Sequence, residues 1–328
     1  MRKVLVLGGS VFIGKAIANR FIKNGDEVYV LNRGNNPCPK GANQLIADRN
    51  NEDMFNKVIG ENYFDIVIDG SAYTPLQTKI AIKKLNSSSL KHYIHISTAT
   101  VYQEDQPMPY KEDESKIGIA KSWGNYSENK YMCEQLLFSE YKESNLPITI
   151  VRPFYVYGPE NALDRESYVF SRLINNKPIV VPGKGKCKIQ FGHVDDLCDA
   201  ILKISQTNKS IGSAYNVSGE EIVTFEDWIN ACGKALQIKP NMILINAKEY
   251  SLKARDWFPF RDISMYGDIS KIKNELGITP KYSLYEGLKE TISHYTKQEL
   301  TEKLNINDVE LNLINRIKEN DIDDSMSR

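Results

Sequence analysis

Apolar positions in the first 155 residues follow two alternating patterns. Short runs dense in aliphatic and β-branched residues are KVLVLG (3–8), EVYVL (27–31), QLIA (44–47), FDIVID (64–69), HYIHIS (92–97) and PITIVRP (147–153). Between them lie IGKAIANRFIKNG, NEDMFNKVIG, LQTKIAIKKLNSSS and NKYMCEQLLFSEYKES, whose apolar residues recur three or four apart. The first kind of run predicts strands buried on both faces, the second amphipathic helices. Their alternation predicts an α/β fold, a parallel sheet covered on both sides and joined by right-handed crossovers. Gly25 is placed to end the first helix.

Past residue 155 the alternation loosens. The turn-rich VYGPENALD, a short strand in PIVVPG (178–183), and helices near 194–205, 224–236 and 284–296 predict a smaller lobe, while AYNVSG (214–219) predicts a strand returning to the sheet. We therefore expect a nucleotide-binding domain over 1–155, a substrate-binding lobe over 156–297 with returning segments, and a C-terminal helix with a frayed acidic end over 298–328. Val309, Leu313, Ile314 and Ile317 give that helix an apolar stripe, to be buried against this chain or a second copy.

Composition narrows the function. Forty-two basic residues balance 42 acidic ones, which removes the broad positive field of a nonspecific nucleic-acid binder. The five cysteines (Cys38, Cys133, Cys187, Cys198, Cys232) are odd in number and lack C-x-x-C spacing, so reduced thiols, no structural metal and a cytoplasmic location are expected. The apolar run in MRKVLVLGG is too short for a signal sequence, and no run reaches the length of a membrane span.

Candidate chemistry begins where the first strand meets the first helix. GGSVFIG places Gly8, Ser10, Val11, Phe12, Ile13 and Gly14 where backbone N–H groups and a helix N-terminus can receive a pyrophosphate. The second strand ends in Asn32-Arg33. A neutral residue followed by arginine leaves room and charge for a 2′-phosphate, favouring NADP over NAD. Asp48, after the third strand, is placed either to accept from an adenine amino group or to cap the next helix; Arg49 follows it. Further along, Tyr126 and Lys130 in YSENK lie four apart, on one face of a helix.

Together, GGSVFIG, ADRN, HISTATVY (95–102), YSENK, VRPFYVYGP (151–159), HVDDL (193–197) and YNVSG (215–219) resemble, in that order, the extended short-chain dehydrogenase/reductases of the NAD-dependent epimerase/dehydratase family. The resemblance covers roughly residues 2–297. It implies a Rossmann doubly wound sheet with a smaller C-terminal substrate-binding lobe, bound NAD or NADP, a cytoplasmic homodimer formed through the Tyr126 helix and the helix before it, and a small-molecule substrate of the sugar-nucleotide type. It nominates Thr98, Tyr126 and Lys130 as the reacting triad. Gly70, Ser71, Ala72 and Pro153 join the cofactor wall, and Thr98, Tyr102, Lys188 and Arg261 face substrate. Dehydratases of the family place an Asp-Glu pair after the threonine; Ala99 and Thr100 stand there here, so epimerisation or ketone reduction is expected instead. The family's middle glycine is Val11, as in an atypical branch similar to the chloroplast stem-loop RNA-binding proteins. That branch makes an RNA-associated or regulatory nucleotide-binding role the alternative. The arginine that often grips the diphosphate is Ile189, with Lys186 and Lys188 beside it.

Overall fold

The computed structural model describes residues 1–86 and 88–326, with the side chains of 318 and 320–326 left aside. The chain divides into two compact units. The first comprises Met1–Val156, Phe191–Glu220 and Tyr266–Lys281; the second comprises Tyr157–Gln190, Glu221–Met265 and the chain from Tyr282 onward.

In the first unit, β1 (Lys3–Leu7), α1 (Phe12–Lys23), β2 (Glu27–Asn32), β3 (Asn43–Ile46), α2 (Glu52–Ile59), β4 (Ile66–Asp69), α3 (Pro75–Leu85), β5 (His92–Ile96), α4 (Asn125–Ser144) and β6 (Ile148–Pro153) follow one another. Strand Ser213–Val217 adds to β6. The resulting seven-stranded sheet is parallel throughout, in the order Ser213–Val217, β6, β5, β4, β1, β2, β3. Val6 at its centre pairs with Val30 on one side and Ile68 on the other.

Strand periodicity divides the core into two layers. Val4, Val6, Ile66, Ile68, Ile94 and Ile96 face α1 and the helix Val194–Ile204. Leu5, Leu7, Val67 and Tyr93 face α2, α3 and α4. Both faces are covered, which is why the strands read as unbroken apolar runs. Strand order reverses direction between β1 and β4, and doubly wound sheets bind ligands at the carboxyl ends of strands beside such a reversal.

The helix starts are set by local chemistry. Thr74 and Gln77 form a reciprocal capping box at α3, with Pro75 in the first turn. α2 is capped by Asn51, whose side chain accepts from Met54 N at 2.9 Å; the capping alternative for Asp48 is thereby corrected. Gly25 follows Asn24, the C-cap of α1, with φ of +86°.

In the second unit the helix Phe225–Leu236 packs against the helices Glu166–Ile174 and Leu284–Ser293, and its Phe225 and Trp228 rings meet those of Phe258 and Phe260. The stretch read as one terminal helix is two, Lys297–Glu302 and Asp308–Met326. The break has a cause: the Asn307 side chain accepts from Glu310 N at 2.9 Å and starts the second helix. Leu313 and Ile314 are buried within the described residues of this chain. The acidic end, expected to fray, is helical as far as Met326, and its last two residues lie outside those described. Among the described residues no helix is long and apolar enough to cross a membrane.

Candidate active site

The turn from β1 into α1 is built by close approach. Gly8 has φ of +89°, and a Cβ there would lie 2.5 Å from Ser71 Cβ; a Cβ on Gly14 would lie 2.0 Å from the Gly8 carbonyl oxygen. Neither position tolerates a side chain, so α1 starts pressed onto the ends of β1 and β4. Val11 adopts φ of −134°, ordinary extended backbone, and the left-handed strain falls on Phe12 at +39°. Replacing the family's middle glycine by Val11 therefore meets no backbone obstacle, but it places a 47% exposed side chain on the turn. Val11 is the N-cap and its side chain makes no capping bond; Gly14 N and Lys15 N donate to its carbonyl, and the amides of Phe12 and Ile13 stand ahead of them at the helix start. Ile13 is half-buried against the core beside them.

At the end of β2, Asn32 is fixed from three directions. Its Nδ2 donates to Ser10 Oγ at 2.6 Å, and its Oδ1 accepts from Gly34 N at 2.8 Å and Gln44 Nε2 at 3.0 Å. Arg33 beside it is exposed. Asp48 is half-buried and accepts from Asn50 N and Asn50 Nδ2, which, together with the field of Arg33, lowers its pKa. Arg49 turns inward. It donates to Asp69 at 2.5 and 2.9 Å, to Ser71 Oγ at 2.7 Å and to the Gln77 carbonyl at 3.2 Å. Asp69 also accepts from Tyr93 OH, and despite its burial Arg49 holds its carboxyl well below the usual range. Arg49, expected to meet the cofactor, thus spends its guanidinium on Asp69, Gln77 and Ser71, the last lying between Gly70 and Ala72.

Tyr126, Lys130 and Thr98 come together where β4 and β5 end. Tyr126 is in the first turn of α4 and is 39% exposed; Lys130, one turn on, is buried. The ammonium donates to the Ala72 carbonyl at 2.9 Å and the Ile96 carbonyl at 2.6 Å, so it is held between the two strand ends, two residues before Thr98. Burial brings its pKa down to about 8, while Asp69, Cys133 and Glu134 pull the other way. Thr98 is buried, in extended backbone, and its Oγ1 accepts from Thr100 N at 3.3 Å. A residue that the motif reading passed over, Ser127, ties the pieces together. Its hydroxyl donates to the Thr100 carbonyl at 2.7 Å and accepts from Ala120 N at 2.8 Å. α4 is thereby clamped to the loop that carries Thr98, and its place directly after Tyr126 was the available signal.

Behind these residues runs a second network that sequence reading also missed. Arg152 on β6 donates to Glu134 at 2.7 and 3.1 Å and to Tyr102 OH at 3.0 Å, while Ser97 Oγ donates to Glu134 Oε1 at 2.5 Å. Tyr102, expected against substrate, is instead an internal strut. It is buried, donates to Asn216 Oδ1 at 2.8 Å and stacks on Tyr110. Pro153 ends β6 opposite Val217. Lys188 and Arg261 belong to the second unit. Lys188 is exposed on the strand Lys188–His193 with its amide donating to Ser264 Oγ, Arg261 is partly buried, and Lys186 pairs with Glu226.

Comparison with known proteins gives this geometry a setting. Residues 4–218 match the model of the NAD dependent epimerase/dehydratase family. The chain is similar to the chloroplast stem-loop binding protein of 41 kDa b of Arabidopsis thaliana, 31% identical over 306 residues spanning 88% of this chain and 78% of that protein. UDP-arabinose 4-epimerase 1 of the same plant is 26% identical over 343 residues, 88% of this chain and 77% of the relative. Among solved structures, UDP-glucuronic acid 4-epimerase from Bacillus cereus, in complex with UDP-glucuronic acid and NAD, matches with a TM-score of 0.73 at 21% identity, covering 92% of this chain and 100% of that one.

Proposed function

The chain belongs to the NAD dependent epimerase/dehydratase family, and on that premise we propose that it is an NAD(P)-dependent epimerase or ketoreductase acting on a nucleotide-linked or phosphorylated sugar. The observation that carries the reading is the placement of Lys130, buried between the Ala72 and Ile96 carbonyls one turn from the exposed phenol of Tyr126.

A free phenol titrates near ~10 and is a poor base at neutral pH. Here a buried ammonium and the N-terminal end of α4 both favour its anion. Tyr126 takes the proton from a sugar hydroxyl, or returns it to a ketone oxygen. Thr98 hydrogen-bonds that same oxygen, and Lys130 keeps the phenolate accessible. The glycine turn and the N-terminal end of α1 fit a dinucleotide pyrophosphate. When bound, the nicotinamide accepts or supplies the hydride exchanged with the sugar carbon. Asn32, neutral and fixed, with Arg33 exposed beside it, supports NADP. Elimination of water would need an acid and a base on the neighbouring carbon; Ala99 has nothing to titrate and Thr100 is buried, which disfavours a dehydratase.

The test starts with the nucleotide released on denaturing freshly purified protein, followed by a panel of UDP- and dTDP-sugars analysed chromatographically. Interconversion of two sugars with no net change in nicotinamide supports the epimerase, and stoichiometric NADPH consumption supports the ketoreductase. Tyr126→Phe is expected to lower either rate by about 10²–10⁴-fold; full turnover in that variant would sink the reading. The 31% identity to a stem-loop binding protein favours one second reading, an RNA-associated protein that uses the nucleotide without turnover. Filter binding over a salt series tests it, since RNA affinity without salt dependence contradicts phosphate recognition.

A further inference from the structure

Tyr73 lies in the short link between β4 and α3, directly after Ala72, whose carbonyl holds Lys130. The link is fixed independently of the ring, because Tyr73 N donates to Gln77 Oε1 at 2.6 Å and Thr74 caps α3. The ring itself is 56% exposed. It nevertheless stands 5.8 Å from the Lys130 ammonium, measured to its centroid, and 6.2 Å from the Tyr126 ring at 45°. Little apolar burial accounts for that placement, whereas an aromatic face within about 6 Å of a cation attracts it.

The charged neighbours of Lys130 are engaged elsewhere. Asp69 on β4 holds Arg49, and Glu134 on α4 holds Arg152. His95 on β5 is kept neutral by burial, and burial keeps Cys133 on α4 a thiol. Backbone carbonyls and one ring face therefore do the holding.

We propose that Tyr73 is a positioning residue whose ring face seats Lys130 against the Ala72 and Ile96 carbonyls and excludes water from between Lys130 and Tyr126. The inference rests on the reading of Tyr126 and Lys130 as reacting groups. Its consequence is that the field of Lys130 reaches Tyr126 through ring and protein, where it is screened less than through water.

Ultraviolet difference titration measures this without substrate. Ionisation of Tyr126 is the absorbance difference at the tyrosinate band between each protein and the same protein carrying Tyr126→Phe, taken in the parent, Tyr73→Phe and Tyr73→Ala backgrounds. Tyr73→Phe keeps the ring and is expected to leave the midpoint in place. Tyr73→Ala admits water and is expected to raise it by about one pH unit. An unmoved midpoint in Tyr73→Ala overturns the proposal, and so does an equal shift in Tyr73→Phe, which would assign the effect to the hydroxyl. The same variants on a turned-over sugar nucleotide separate the two claims. A shifted titration with no turnover of any sugar removes the proposed reaction and keeps Tyr73, whereas turnover with an unshifted titration does the reverse.

Discussion

Two buried arginine–carboxylate pairs, one from each unit, have different neighbours. In the first, Arg152 on β6 meets Glu134 on α4, with Ser97 and Tyr102 as further partners. In the second, Arg172 of the helix Glu166–Ile174 meets Glu310 of the terminal helix, with Tyr168 OH and the Asn305 carbonyl as further partners. Burial, charge and hydrogen bonding are alike. What differs is adjacency: Ser97 precedes Thr98, and Glu134 is one turn from Lys130, so the first pair lies directly behind the proposed triad. The Arg172–Glu310 pair fastens a helix. A buried charge pair is thus no sign of a functional site until its neighbours are named.

Breaking the pairs sharpens the contrast. Arg152→Ala strands Glu134 and removes a partner of Tyr102. It is expected to cost about 3–5 kcal/mol in urea denaturation and to lower turnover per folded molecule; unchanged turnover would reduce the pair to a structural role. Glu310→Gln keeps a hydrogen-bonding group against Tyr168 and Arg172, so a loss of about 1–3 kcal/mol is expected, with the Tyr126 titration unmoved. A shifted titration would contradict the division of labour.

Two kinds of buried group, one in each unit, respond to pH with opposite sign. Burial lowers the pKa of His92 to about 4 and that of His95 to about 3, while an unfolded histidine takes its proton near ~6.5. Between those values the unfolded chain binds more protons. The stability these neutral rings contribute is intact above about 6.5 and is lost as pH falls toward 4, a loss on the order of 1–1.5 kcal/mol per ring between pH 7.5 and 5.5. In the second unit, burial raises Glu166 to about 7. Here the folded chain binds the extra proton, so stability falls as pH rises from about 4.3 to 7. Glu166→Gln is accordingly expected to gain urea resistance relative to the parent as pH rises, and a constant difference between them would refute the buried acid. The smallest effect is that of Thr224→Ala, which removes the capping box of the helix Phe225–Leu236 and is expected to cost about 1 kcal/mol.

The sheet was legible in the sequence because strands buried on both faces leave continuous apolar runs. Tyr126 and Lys130 were legible because a helix makes positions four apart neighbours. What escaped notice depends on partners distant in the chain. Ser97 and Glu134 are 37 residues apart, and Tyr102 and Asn216 are 114 apart. Arg49 was visible as a residue, but its commitment to Asp69 follows from the β4 register. Likewise, the Asn307 side chain accepts from Glu310 N at the start of the second of two helices, Lys297–Glu302 and Asp308–Met326, which apolar spacing cannot register.

The order of strands also bears on how the chain assembles during synthesis. β1 is made first and lies at the centre; β2 then joins it, β3 joins β2, β4 takes the other flank of β1, and β5, β6 and Ser213–Val217 extend outward in turn. Each strand of this sheet after β1 therefore leaves the ribosome with a neighbour already made. The nascent sheet grows by accretion at its margins, and after β1 no strand of it has to wait for its first partner to be translated.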